Sequence, residues 1–135
     1  MSLPEFILFA VDGSVTSRIM LQSIFAEEYQ VSLFNSAESC LAQLATQTPS
    51  IILTEVELPG MNGFEFCESV KNHPNTQNVP VIFISGRNCL QDRLHGYDAG
   101  GNIGYKSEPM RYEGELTYLN AALKKFKING VQQTQ

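Results

Sequence analysis

PSIILTEVELPGMNG, residues 49–63, decides the fold. Ile51, Ile52 and Leu53 form an apolar run rich in β-branched side chains, bounded by Pro49 and by Pro59-Gly60. A short run of this kind reads as a strand buried on both faces of a parallel sheet. It ends at two carboxylates, Glu55 and Glu57. Leu58-Pro59-Gly60-Met61-Asn62-Gly63 has turn chemistry at nearly every position, and a helical pattern starts at Phe64. A core strand therefore carries an acid to its C-terminal end, where open parallel sheets bind ligands.

Upstream, Phe6 to Val11 is an apolar strand that ends at Asp12-Gly13. Ser14 or Thr16 can cap the helix that follows, with Ile19, Met20, Leu21, Ile24 and Phe25 expected on its buried side. Val31 to Phe34 reads as a shorter strand. Asn35 with Glu38 resembles a capping box, and Ser36 competes for the cap. Ala37, Cys40, Leu41 and Leu44 then repeat at the helical period.

Downstream, the helix carrying Phe64, Phe66, Cys67 and Val70 breaks at Asn72-His73-Pro74-Asn75. Val79 to Ile84 is the fourth strand, ending at Ser85-Gly86. Asn88 can cap a helix with Leu90, Leu94 and Tyr97, closed by Gly100-Gly101. Ile103 to Ser107 is a weak fifth strand, and a last helix carries Leu116, Leu119, Leu123 and Phe126. Five strands alternating with five helices imply a parallel sheet covered on both faces. The expected domain spans residues 5–128, with residues 129–135 a tail or linker.

The chain has 135 residues, one domain on the usual size prior. Hydrophobic residues at 43% and charged residues at 17% make it globular rather than disordered. A net charge of −5 argues against nucleic-acid or anionic-membrane binding by this domain alone. No apolar run reaches the ~20 residues of a membrane span. Cys40, Cys67 and Cys89 are widely spaced, with no CxxC or His–Cys cluster, so a zinc site is not expected. Free buried cysteines suit a reducing, cytoplasmic setting. No Ser-His-Asp order or nucleophile elbow is present, so hydrolase chemistry has no support and the domain reads as non-enzymatic.

ILFAVDGS, PSIILTEVELPGMNGFEFC, PVIFISGR and AGGNIGYKSEP resemble the receiver domain of two-component response regulators, over about Phe6 to Phe126. The resemblance implies a flavodoxin-like, doubly wound (βα)5 fold with strand order 2-1-3-4-5. It also implies phosphorelay signal transduction, with phosphoryl transfer from a histidine kinase to an aspartate at the end of the third strand. Glu55 matches that acceptor, which marks the chain as a degenerate receiver. Asp12 matches the first of two magnesium-binding acids, and Gly13 replaces the second. Glu57 matches the residue whose carbonyl completes the metal site. Ser85 matches the hydroxyl that meets the phosphoryl group. Glu108 stands where the family has a lysine, and Tyr105 matches the aromatic switch, with one extra residue between Gly101 and Tyr105. Lys106 is the alternative cation for the pocket.

The departures have physical consequences. One added methylene moves the Glu55 oxygens by ~1.5 Å, a displacement that can cost roughly a hundredfold in rate. Gly13 removes an oxygen ligand, and Glu108 puts an anion where phosphoryl charge would collect. The expectation is a phosphorylation-independent receiver acting by protein–protein contact. Its partners would be a histidine kinase or an output protein or domain, and the family's fourth helix–fifth strand–fifth helix face offers a homodimer contact. No cofactor is expected. Asp12, Glu55 and Glu57 could hold magnesium only weakly. Two alternatives stay open. One is a receiver that is phosphorylated despite the substitutions; apart from it, Glu55 could mimic the phosphorylated state and hold the domain signalling, which would need contact with Ser85 or Lys106. The other is a flavodoxin-like cofactor binder using the hydroxyl-rich Asp12–Ser17 loop.

Overall fold

The computed structural model describes residues 5–85 and 103–107. Its elements run β1 (Phe6–Val11), α1 (Val15–Phe25), β2 (Tyr29–Phe34), α2 (Ala37–Leu44), β3 (Ile51–Glu55), α3 (Gly63–Lys71), β4 (Val81–Ser85) and β5 (Ile103–Ser107). The expected helices around Leu90 and Leu116, Glu108 and the 129–135 tail lie outside the described residues. All strand pairs are parallel, in the order β2-β1-β3-β4-β5. This is the doubly wound, flavodoxin-like order.

β3 lies at the centre, and each of its five residues is buried. Alternation along the strands sorts their side chains onto two faces. Phe9, Val11, Ile52, Val81 and Phe83 pack with Cys40 and Leu44 of α2 and with Phe64, Phe66, Cys67 and Val70 of α3. Leu8, Ala10, Ile51, Leu53 and Ile82 pack with Leu21, Ile24 and Phe25 of α1 on the other face. A helical layer on each side explains why the strands are apolar throughout. Ser50 locks the start of β3 to β1: its Oγ accepts from Ile7 N at 3.1 Å, and its own N–H donates to Ile7 O at 2.8 Å.

The helix starts follow local chemistry. Ser14 caps α1 by accepting from Ser17 N at 3.3 Å. Ser36, not Asn35, caps α2, accepting from Ser39 N at 3.1 Å. The Asn35–Glu38 capping box is therefore corrected, because Glu38 turns to another partner. α3 has a true capping box: Asn62 accepts from Glu65 N at 2.9 Å, and Glu65 accepts from Asn62 N at 3.0 Å.

Other expectations are also corrected. Ile19 and Met20 face outward, at 63% and 37% exposure. The sheet face under α1 is filled by Leu21, Ile24 and Phe25, leaving these two on the flank. β2 starts at Tyr29 rather than Val31, because buried Tyr29 pairs with Phe6. β4 starts at Val81 rather than Val79. Pro80 still accepts from Ile52 N at 2.9 Å, continuing the ladder with its carbonyl alone.

Candidate functional site

A parallel sheet puts the carboxyl ends of its strands along one edge. β1 hands over to Asp12, β3 ends in Glu55, and β4 ends at Ser85. Register carries the alignment across the sheet: Val11 lies beside Thr54, Glu55 beside Ile84, and Ser85 beside Ser107. The loops after β1 and β3 also touch, because a Cβ on Gly13 would sit 3.4 Å from Pro59 Cδ. Among the described residues, Asp12, Gly13, Glu55 and Ser85 thus lie toward the same edge of the sheet.

Asp12 is only 4% exposed and Glu55 only 9%, so both acids are buried and not on open surface. Asp12 is firmly oriented. Its N–H continues the ladder to Phe34 O at 3.0 Å, and its Oδ1 accepts from Ser14 N at 2.9 Å. Its carbonyl accepts from Arg18 Nη1 at 2.7 Å. Arg18 thereby brings a guanidinium to the backbone of the crevice, a link the sequence reading did not anticipate.

The end of β3 is held as tightly. Thr54 Oγ1 donates to Glu55 O at 3.0 Å. Gly63 N donates to Val56 O at 2.9 Å, and a Cβ on Gly63 would fall 2.4 Å from Glu55 O. Only glycine lets the loop close this far over the strand end. Gly60, at φ 73°, makes the turn itself. Glu57 is exposed.

β5 passes the same edge with one extra residue. Ile82 pairs with Ile103 but Ile84 pairs with Lys106, so β5 takes three steps where β4 takes two. The shift falls at Gly104–Tyr105.

Among the described residues, no three His, Cys, Asp or Glu side chains gather so that they could hold a metal ion. Gly13 offers no side chain, and Asp12 Oδ1 already accepts a backbone N–H. Among the same residues, no helix is long and apolar enough to cross a membrane.

The geometry defines a class: a doubly wound α/β domain with buried acids at the carboxyl edge of its central strands. The chain belongs to the response regulator receiver domain family, whose sequence pattern matches residues 8–104. It is 34% identical over 96 residues to the response regulator PleD of Caulobacter vibrioides, covering 71% of this chain and 21% of that protein. It is 30% identical over 108 residues to the heme response regulator HssR of Staphylococcus haemolyticus, covering 80% and 46%. The chain thus spans from about a fifth to about half the length of these two relatives. Among solved structures, it resembles the chemotaxis response regulator CheY4 of Vibrio cholerae, with TM-score 0.81, 22% identity and coverage of 89% and 98%. A CheY-like receiver domain protein from Methanospirillum hungatei JF-1 gives TM-score 0.79 at 22% identity, covering 95% and 99%. The likeness to these two structures concerns the fold. The chain is a receiver domain of two-component signalling.

Proposed function

We propose that this receiver works without accepting a phosphoryl group and signals through protein–protein contact. The observation that supports the reading is that Glu55, which the sequence resemblance aligns with the family's phosphoacceptor, is buried at the end of β3. Transfer to a carboxylate requires near in-line geometry and neutralisation of the developing charge. Glu55 places its oxygens one bond too far out, Gly13 withholds a metal ligand, and Glu108 supplies an anion in place of lysine. Each change opposes the same step.

Gly13 is not needed for backbone reasons. Among the described glycines only Gly60 has a positive φ, and a Cβ at Gly13 meets nothing closer than Pro59 Cδ at 3.4 Å. A Cβ would fit there, so neither backbone strain nor crowding at Cβ calls for glycine. Divalent binding by Asp12, Glu55 and Glu57 is weak at most, and micromolar affinity in a magnesium or manganese titration would contradict this.

Contact surfaces remain for such a domain. Val15, Ile19 and Met20 expose apolar surface on α1, directly after the Asp12 loop, with Val15 at 62% and Ile19 at 63%. This patch would serve a histidine kinase or an output protein. The fourth helix–fifth strand–fifth helix face, proposed for a homodimer, falls mostly outside the described residues. Incubation with acetyl phosphate and magnesium, followed by intact mass, tests the reading. No mass gain is expected; gain of one phosphoryl group, lost in Glu55→Ala, would overturn it.

A further inference from the structure

The loop after β3 is tied down at three places. Gly63 closes it onto the end of β3, and the Asn62–Glu65 box ties it to α3. The third tie comes from a different layer element. Glu38, in the first turn of α2, sends its carboxylate across to Met61 N, with Oε2 accepting at 3.0 Å, and the two residues are 23 positions apart. Gly60 lies so close beneath this carboxylate that a Cβ there would stand 2.6 Å from Glu38 Oε2. Glycine is needed at position 60 twice over, for the positive φ and for this approach.

We propose that Glu38 is a positioning residue for the crevice: its carboxylate clamps the Gly60–Met61 peptide and so fixes the loop that closes over Glu55. The structural path is short. Met61 is followed by Asn62, the cap of α3, and then by Gly63, which rests on the Glu55 carbonyl. Releasing Met61 frees the segment between Gly60 and that contact.

The bond is charge-assisted, since an ionised carboxylate accepts from a backbone N–H. The same bond is the first cause holding the Glu38 carboxyl below its ordinary range, with its own N–H second. The placement also explains why the Asn35–Glu38 capping box does not form. Glu38 spends its reach on the neighbouring loop, and Ser36 caps α2 alone. The inference concerns geometry, so it stands or falls separately from the phosphorylation reading.

Amide exchange and carboxyl resonances of isotope-labelled protein test it. In Glu38→Ala, exchange at Met61 should speed by roughly tenfold, the usual effect of losing one such bond. The Glu55 side-chain carboxyl resonance should move at the same time. Glu38→Gln keeps an accepting oxygen and should return both signals toward wild type, a rescue that loss of general stability would not produce. Gly60→Ala, which pushes on the same carboxylate, should disturb both signals in the same direction and serves if Glu38→Ala does not fold. Unchanged Met61 exchange in these variants would overturn the clamp. Faster Met61 exchange with an unmoved Glu55 carboxyl would overturn the positioning role.

Discussion

Two glycines in the crevice loops answer to different forces, and substitution should separate them. Gly63→Ala drives a Cβ into the Glu55 carbonyl, which is backbone and cannot swing away. We expect a loss of about 1–3 kcal/mol in denaturant unfolding, typical of overpacking. Gly13→Ala meets only the Pro59 side chain at van der Waals distance. It should be neutral or stabilise by about 0.4–1 kcal/mol, through the unfolded chain. The buried thiols behave similarly predictably. Burial pushes Cys40 up to about 12 and Cys67 up to about 11, the latter with Lys71 and Glu68 as smaller opposing influences. A thiol reagent at pH 8 should modify neither in the native protein and both in denaturant. Tyr29 gives a pH signature. Burial, then the nearby Glu28 charge, raises its phenol to about 12. The fold favours the protonated phenol, so its contribution is intact below the ordinary value near 10. That contribution is lost as pH rises from there toward 12. An alkaline unfolding series that steepens across that window in wild type but not in Tyr29→Phe would bear this out.

At the scale of elements, the apolar runs were legible because strands buried on both faces need no alternation. β1, β3 and β5 end where the sequence places them. The first residues of β2 were missed because polar Gln30 separates Tyr29 from the apolar run, and pairing to β1 overrides that local pattern. Ile19 and Met20 were misplaced because helical period says which residues share a face, not how wide the covered face is. Asn62-Gly63-Phe64-Glu65 carried a capping-box signal that the turn residues around it masked. Asn62→Ala should cost ~1 kcal/mol, as N-cap losses do, read as a shift in the unfolding midpoint. Ile19→Lys should leave stability within about 0.5 kcal/mol, as exposed substitutions do. If α1 is a contact surface, it should still weaken binding of the partner in a titration.

For the whole molecule, the meeting of the loops after β1 and β3 followed from alternation alone, since a parallel sheet puts its carboxyl ends on one edge. What the sequence could not display was how that edge is braced. Arg18 to the Asp12 carbonyl and Glu38 to Met61 are contacts between segments with no shared pattern. The central claim is that phosphoryl chemistry is missing because of three particular residues on an otherwise intact frame. The direct measurement is intact mass after acetyl phosphate and magnesium, on wild type beside the triple variant Gly13→Asp, Glu55→Asp, Glu108→Lys. The account predicts no adduct on wild type and one phosphoryl group on the triple variant, lost again when position 55 carries Ala in place of Asp beside Gly13→Asp and Glu108→Lys. A phosphoryl adduct on wild type, or none on a folded triple variant, would contradict it.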